Sequence, residues 1–186
     1  MIYLDNAATT PTAPEVLDTM TIVQRTFFAN PSSSHRLGLE AARKVEGCRQ
    51  ELSELLGCKS EELVFTSGGT ESDNMALRGI PRGRRQNQIL ISAIEHPAVT
   101  KTALALKNQG FEVILLPVDG EGFLREDVYV EALSNRTALV SIMHGNNEIG
   151  TIQNIARLSA LCQKHAPEAL FHTDAVQSFT KIRLPL

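Results

Sequence analysis

From residue 62 onward, short apolar runs alternate with amphipathic ones, and this alternation leaves few folds open to the chain. Residues 62–66, 88–93, 111–116, 137–143 and 169–173 read as strands, and 71–79, 97–108, 126–133 and 154–164 as helices. Ala138-Leu-Val-Ser-Ile-Met143 is almost continuously apolar, as a strand covered on both faces should be. The expectation is an α/β fold, a mostly parallel sheet with flanking helices. Ahead of it, Tyr3 to Pro11 reads as an extended arm. A helix is predicted from Pro14 to about Phe28, and Asn30-Pro-Ser-Ser-Ser-His35 reads as a loop. A long helix follows, with Ala41, Val45, Cys48, Leu52 and Leu55 as its apolar stripe and Gly57 as its end. Asp119–Gly122 reads as a turn and Gly79–Asn87 as a basic surface loop.

Composition narrows the function classes. With 186 residues the chain can form one well-packed domain or part of a larger one. A net charge of −3 gives no basic footprint for nucleic acid or an anionic membrane surface. No apolar run approaches the ~20 residues of a membrane span, and Met1–Asp5 does not open a signal peptide. Cys48, Cys58 and Cys162 form no CxxC pair and suit a reducing compartment, so the expected location is cytoplasmic.

In open α/β sheets, ligands gather beyond the carboxyl ends of the strands. Four polar clusters fall at such places. The first is Ser67-Gly-Gly-Thr70, between the 62–66 run and the next helix. Gly68 and Gly69 let backbone approach a ligand, and the helix N-terminus favours an anion, with the Thr70 hydroxyl as a further donor. This is a candidate phosphate cup, distinct from Walker A and from the GxGxxG turn; an ordinary glycine-rich turn capped by Thr70 is the plain alternative. The others are Glu95-His96-Pro97, His144-Gly-Asn-Asn-Glu-Ile-Gly150 and His172-Thr-Asp-Ala-Val-Gln177. Each also has a plain reading as capping or turn residues, Asp174 as a helix N-cap among them.

Together they match the needs of pyridoxal 5'-phosphate: a phosphate cradle, an anion against the ring nitrogen, a flat group over the ring and a lysine for covalent anchorage. Gly69 and Thr70 can form the cradle. Asp174 can hold the ring nitrogen protonated, Gln177 on the same face of a starting helix can reach the ring hydroxyl, and His96 can stack and exchange protons. A metal site built from His96, His144, His172 and Asp174 is the weaker alternative, because no HxxxH or HExxH spacing is present.

Tyr3-Leu-Asp-Asn-Ala-Ala-Thr-Thr10, Asn30–His35, Thr66-Ser-Gly-Gly-Thr-Glu-Ser-Asp-Asn74, Glu95-His96, Asn146-Asn-Glu-Ile-Gly150 and His172–Gln177 resemble the cysteine desulfurases, from residue 2 to the end and in family order. These are class V aminotransferase-like enzymes of PLP fold type I, and the chain looks closest to the NifS/IscS branch. The resemblance implies removal of sulfur from L-cysteine, leaving alanine and an enzyme persulfide for a sulfur-acceptor protein, either an Fe–S scaffold or a thiolation relay. Selenocysteine lyases share the motifs, so selenocysteine is a substrate variant. By resemblance Thr70 holds the phosphate, His96 stacks on the ring, Asn147 lies at cofactor and substrate, Asp174 pairs with the ring nitrogen and Gln177 contacts the ring oxygen. No metal is implied.

The resemblance also implies parts beyond Leu186: a Ser-x-His-Lys segment with the anchoring lysine, the persulfide cysteine and the arginine for the substrate carboxylate. Lys181 matches a surface turn of the family instead, and Cys48, Cys58 and Cys162 match no catalytic position. Residues 1–13 are expected to be an arm belonging to the family's small domain, and 14–186 a partial PLP-binding large domain. The chain is thus expected to be an N-terminal half, active as a homodimer of a longer protein or with a complementing C-terminal chain. The alternative is an inactive remnant or split-enzyme subunit that only binds PLP or a partner.

Overall fold

The computed structural model describes residues 2–80 and 86–183, and they fall into two compact units. One comprises Thr10–Phe65; the other joins the N-terminal residues up to Thr9 to the described residues from Thr66 onward.

The Thr10–Phe65 unit holds α1 (Pro14–Thr26) and α2 (Arg36–Leu56), followed by a 3-10 turn at Ser60–Glu62. Pro14 opens α1, where its missing N–H costs nothing. His35 caps α2 by accepting from the Gly38 N–H at 3.2 Å, and Gly57 closes it in the left-handed conformation (φ +67°). The predicted stripe of α2 is only partly buried: Ala41 is covered, whereas Leu55 is 82% exposed. The run 62–66 is not a strand. Arg49 of α2 donates to the Leu63 carbonyl at 2.6 Å and stacks over the Phe65 ring at 4.6 Å. A side chain thus takes a carbonyl that a strand would offer to its neighbour, overriding local β propensity.

The second unit carries the sheet. Its elements are α3 (Gly69–Arg78), β1 (Gln88–Ser92), α4 (Pro97–Leu106), β2 (Glu112–Leu116), α5 (Glu126–Ala132), β3 (Thr137–Ser141), α6 (Ile155–His165) and β4 (Leu170–His172). The strands pair in the order β2-β1-β3-β4, all parallel. Side chains alternate across β1: Ile89 and Ile91 join Leu77, Val99 and Leu106 on the α3/α4 face, while Leu90 joins Tyr129, Ile155 and Leu158 on the α5/α6 face. Each such buried aliphatic side chain contributes about 1.5–3 kcal/mol. Two cores on one sheet hold the strand ends fixed. Part of the expected basic loop, residues 81–85, lies outside the described residues.

The strand order reverses between β1 and β3, so the crevice beyond their carboxyl ends is the topological switch point. The loops after β1, β3 and β4 all open there. After β4 the expected helix does not form. Residues 176–181 make successive turns, with Ser178 and Phe179 N–H both donating to the Ala175 carbonyl and Thr180 at φ +65°.

Candidate active site

One cavity of about 300 Å³ is lined by Ala8, Gly69, Thr70, Asp73, His96, Met143, Asn147, Asp174, Val176 and Gln177. All six residues proposed from the sequence, Gly69, Thr70, His96, Asn147, Asp174 and Gln177, are brought together in it. All of its lining belongs to the sheet-bearing unit.

The cup is the first turn of α3. The Glu71 and Ser72 N–H groups both donate to the Gly68 carbonyl at 3.1 Å, whereas those of Gly69 and Thr70 have no intrahelical acceptor. The N-cap is Gly68, not Thr70, which leaves the Thr70 hydroxyl without a protein partner among the described residues. Glu71 folds back to accept from the Ser67 N–H and hydroxyl, both at 2.6 Å; these bonds hold its carboxyl below its usual pKa. A Cβ at Gly69 would stand 2.5 Å from Val176 Cγ2, so any larger residue there would force that valine or its loop to shift. The missing side chain lets the cup abut the loop that carries Asp174 and Gln177.

His96 caps α4. Its Nδ1 accepts from the Ala98 N–H at 3.1 Å, so the neutral ring carries its proton on Nε2. The adjacent asparagines divide their tasks. Asn146 is buried, donating to the Ile94 carbonyl at 3.0 Å and accepting from the Glu148 and Ile149 N–H groups at 2.8 and 2.9 Å. That anchorage presents Asn147, whose amide has no protein partner among the described residues, to the cavity. Asp174 is 8% exposed. Its carbonyl accepts from the His144 N–H at 2.9 Å, extending the β3–β4 ladder, and its Oδ1 accepts from the Val176 N–H at 2.9 Å.

Sequence reasoning missed Asp73. It lies three and four residues past Thr70 and Gly69, on the same face of α3, so helical spacing was the available signal. It is 4% exposed and accepts no hydrogen bond among the described residues; His172 Nε2 stands 3.6 Å away. Burial pushes its carboxyl up to about 6, and the nearby Asp174 charge raises it too. Burial pushes Glu95 further, up to about 7, although Ser92 and the Met143 N–H donate to its Oε1 at 2.6 and 2.7 Å. Its Oε2 is buried without a partner. Ala8, Met143 and Val176 were also missed, as apolar residues carrying no chemical signal.

Of the four candidate metal ligands, only His96 and Asp174 line the cavity. His144 bonds Ser178 Oγ through Nδ1 at 2.8 Å, and His172 bonds Ser141 Oγ in the same way. Burial holds both rings below the usual imidazole pKa. No metal-binding cluster occurs among the described residues. No lysine, arginine or cysteine lines the cavity among them either, and Lys181 sits in an exposed turn.

Residues 2–186 match the Aminotransferase class-V family. The chain is 45% identical over 179 residues to a cysteine desulfurase IscS of Dictyoglomus turgidum, covering 95% of this chain and 45% of that protein. It is 41% identical over 186 residues to a mitochondrial cysteine desulfurase of Saccharomyces cerevisiae, covering 98% of this chain and 37% of that protein. The chain therefore spans less than half the length of these curated relatives. Among solved structures, a NifS-like protein superposes with a TM-score of 0.88 at 37% identity, over 95% of this chain and 49% of that one. SspA, solved in complex with cysteine, superposes with a TM-score of 0.85 at 36% identity, over 96% and 52%. With the family matched from residue 2 onward and the fold shared with these structures, the chain belongs to the class-V aminotransferase family.

Proposed function

We propose that this chain is the cofactor-holding half of a PLP-dependent cysteine desulfurase, which takes sulfur from L-cysteine, leaves L-alanine and passes a persulfide sulfur to an acceptor protein. The observation that carries the reading is a single cavity lined both by a helix N-terminus with Gly69 and Thr70 and by a buried carboxylate, Asp174. This donor set suits the cofactor: free amides and a hydroxyl for a phosphate, and a carboxylate for a ring N–H. When bound, PLP would supply an electron sink for breaking bonds at the substrate's α and β carbons.

The chain's own residues orient that chemistry. Gly69 and Thr70 would hold the phosphate through backbone N–H and hydroxyl. Asp174, fixed by its bond from the Val176 N–H, would keep a proton on the ring nitrogen. Gln177 would donate to the ring oxygen, and Asn147 would face cofactor and substrate. His96 would cover the ring and offer its Nε2–H as a donor, its Nδ1 being held by the Ala98 N–H.

The lysine, cysteine and arginine that complete the reaction would come from a longer form of the protein or from a complementing chain. Val16, Leu17, Met20 and Ile22, exposed along α1, support association, as in a homodimer. Residues 1–13 would belong to a small domain, with the large domain beginning at 14. Three free thiols suit a cytoplasmic setting. The acceptor would be an Fe–S scaffold or a thiolation relay.

The test mixes the chain and PLP with a polypeptide carrying a Ser-x-His-Lys segment and a persulfide cysteine, then measures alanine formed from L-cysteine. Alanine that requires both chains and is lost with His96→Ala is the expected result. PLP bound without alanine, in a mixture whose chains associate, would overturn the desulfurase reading and leave a cofactor-binding remnant.

A further inference from the structure

Asp73 is the one buried charged side chain of the cavity that the proposed function leaves idle. Its carboxyl is 4% exposed, accepts no hydrogen bond among the described residues, and lines the cavity. Ser141 Oγ and His172 Nδ1 are 2.8 Å apart; when the hydroxyl donates, the neutral ring carries its proton on Nε2, 3.6 Å from Asp73 Oδ1. Two carboxyls, Asp73 and Asp174, therefore stand at this cavity, and no lysine or arginine lines it among the described residues. A buried carboxylate whose nearby donor among the described residues is an imidazole N–H 3.6 Å away is costly unless a ligand supplies a closer donor or a cation.

We propose that Asp73 is a second carboxylate for the ring nitrogen, acting beside Asp174 to hold a positively charged ring N–H of the bound cofactor, with His172 fixing its orientation. The inference rests on the reading of the cavity as a PLP site. The titratable groups around Asp73 are Asp174 and His172 from β4 and its loop, Glu95 from the loop after β1, and His96 across the cavity. Burial and the Asp174 carboxyl both oppose its ionisation, which raises its carboxyl to about 6. A cationic ring N–H would reverse that opposition.

The test compares wild type, Asp73→Asn and Asp174→Ala in equilibrium dialysis with pyridoxine 5'-phosphate. This probe keeps ring nitrogen and phosphate but lacks the aldehyde that reacts with surface lysines. Its 1-deaza analogue, without the ring nitrogen, is the second probe. Asp73→Asn, which preserves shape, should weaken pyridoxine 5'-phosphate binding about tenfold near pH 7.5, because one charge is removed beside a cation. The loss should shrink toward pH 5, where Asp73 is already protonated, and the deaza analogue should bind both proteins alike. Equal losses for both probes, or a loss independent of pH, would mark Asp73 as structural and overturn the inference alone. Binding lowered by Asp174→Ala but untouched by Asp73→Asn would do the same. Absence of binding by wild type would overturn the PLP reading and this inference with it.

Discussion

Gly69→Ala tests how closely the anion cup is fitted to the Asp174 loop. The added Cβ would stand 2.5 Å from Val176 Cγ2 and 3.7 Å from Val176 Cβ, so either the valine turns about χ1 or the 174–177 loop shifts. Overpacking of this kind costs about 1–3 kcal/mol, and Val176, 56% exposed, has room to yield, which places the cost near the lower end. The backbone at Gly69 is helical, so alanine there also gains a few tenths of a kcal/mol in propensity. A net loss of about 0.5–1 kcal/mol corresponds to a Tm roughly 1–4 °C lower for a chain of this size. The decisive arm is the double-mutant cycle. Val176→Ala removes the offending methyl, so Gly69→Ala should become neutral or slightly stabilising in that background. Thermal unfolding of the four proteins measures the coupling. An equal loss from Gly69→Ala with and without Val176 would refute the contact as its cause.

Three further outcomes are expected. Glu95 titrates near 7 when folded, above its usual value, so stability should be highest below about pH 4.5 on its account and fall as pH rises through 7. Glu95→Gln should remove most of that slope above pH 6 in urea titrations, leaving the smaller contribution of Asp73 near 6. Asn146→Ala, losing the bonds to the Ile94 carbonyl and from the Glu148 and Ile149 N–H groups together with a weak one to Met143 Sδ, should cost about 2–3 kcal/mol, while Asn147→Ala should leave unfolding nearly unchanged and weaken ligand binding. Tyr129→Phe removes the buried donor to the Leu158 carbonyl, 3.1 Å away, and should cost about 1 kcal/mol in thermal unfolding without altering binding at the cavity.

The sheet was legible in the sequence because its strands are apolar runs flanked by helices, and the rule that ligands sit beyond strand ends then pointed to His96, the 144–150 cluster and Asp174, with Asn147 singled out by the family resemblance. Two expectations failed where tertiary contacts overrode local signals. The run 62–66 has strand composition, yet Arg49 takes the Leu63 carbonyl and stacks on Phe65. The segment after Asp174 forms turns instead of a helix, and Gln177 lines the cavity from those turns. Asp73 was passed over because an aspartate inside a helix usually faces solvent; its burial follows from β4, which brings His172 against it. The division of labour between Asn146 and Asn147 was equally hidden, since the backbone at Ile94 that selects one of them is 52 residues away.

The structure of this chain crystallised with PLP tests the central claim most directly. The account predicts the phosphate on the Gly69 and Thr70 amides, the ring under His96 and the ring nitrogen within hydrogen-bonding distance of Asp174. PLP seated elsewhere, for instance on the exposed lysines alone, or lying in the cavity with its phosphate toward Asp174, would contradict it.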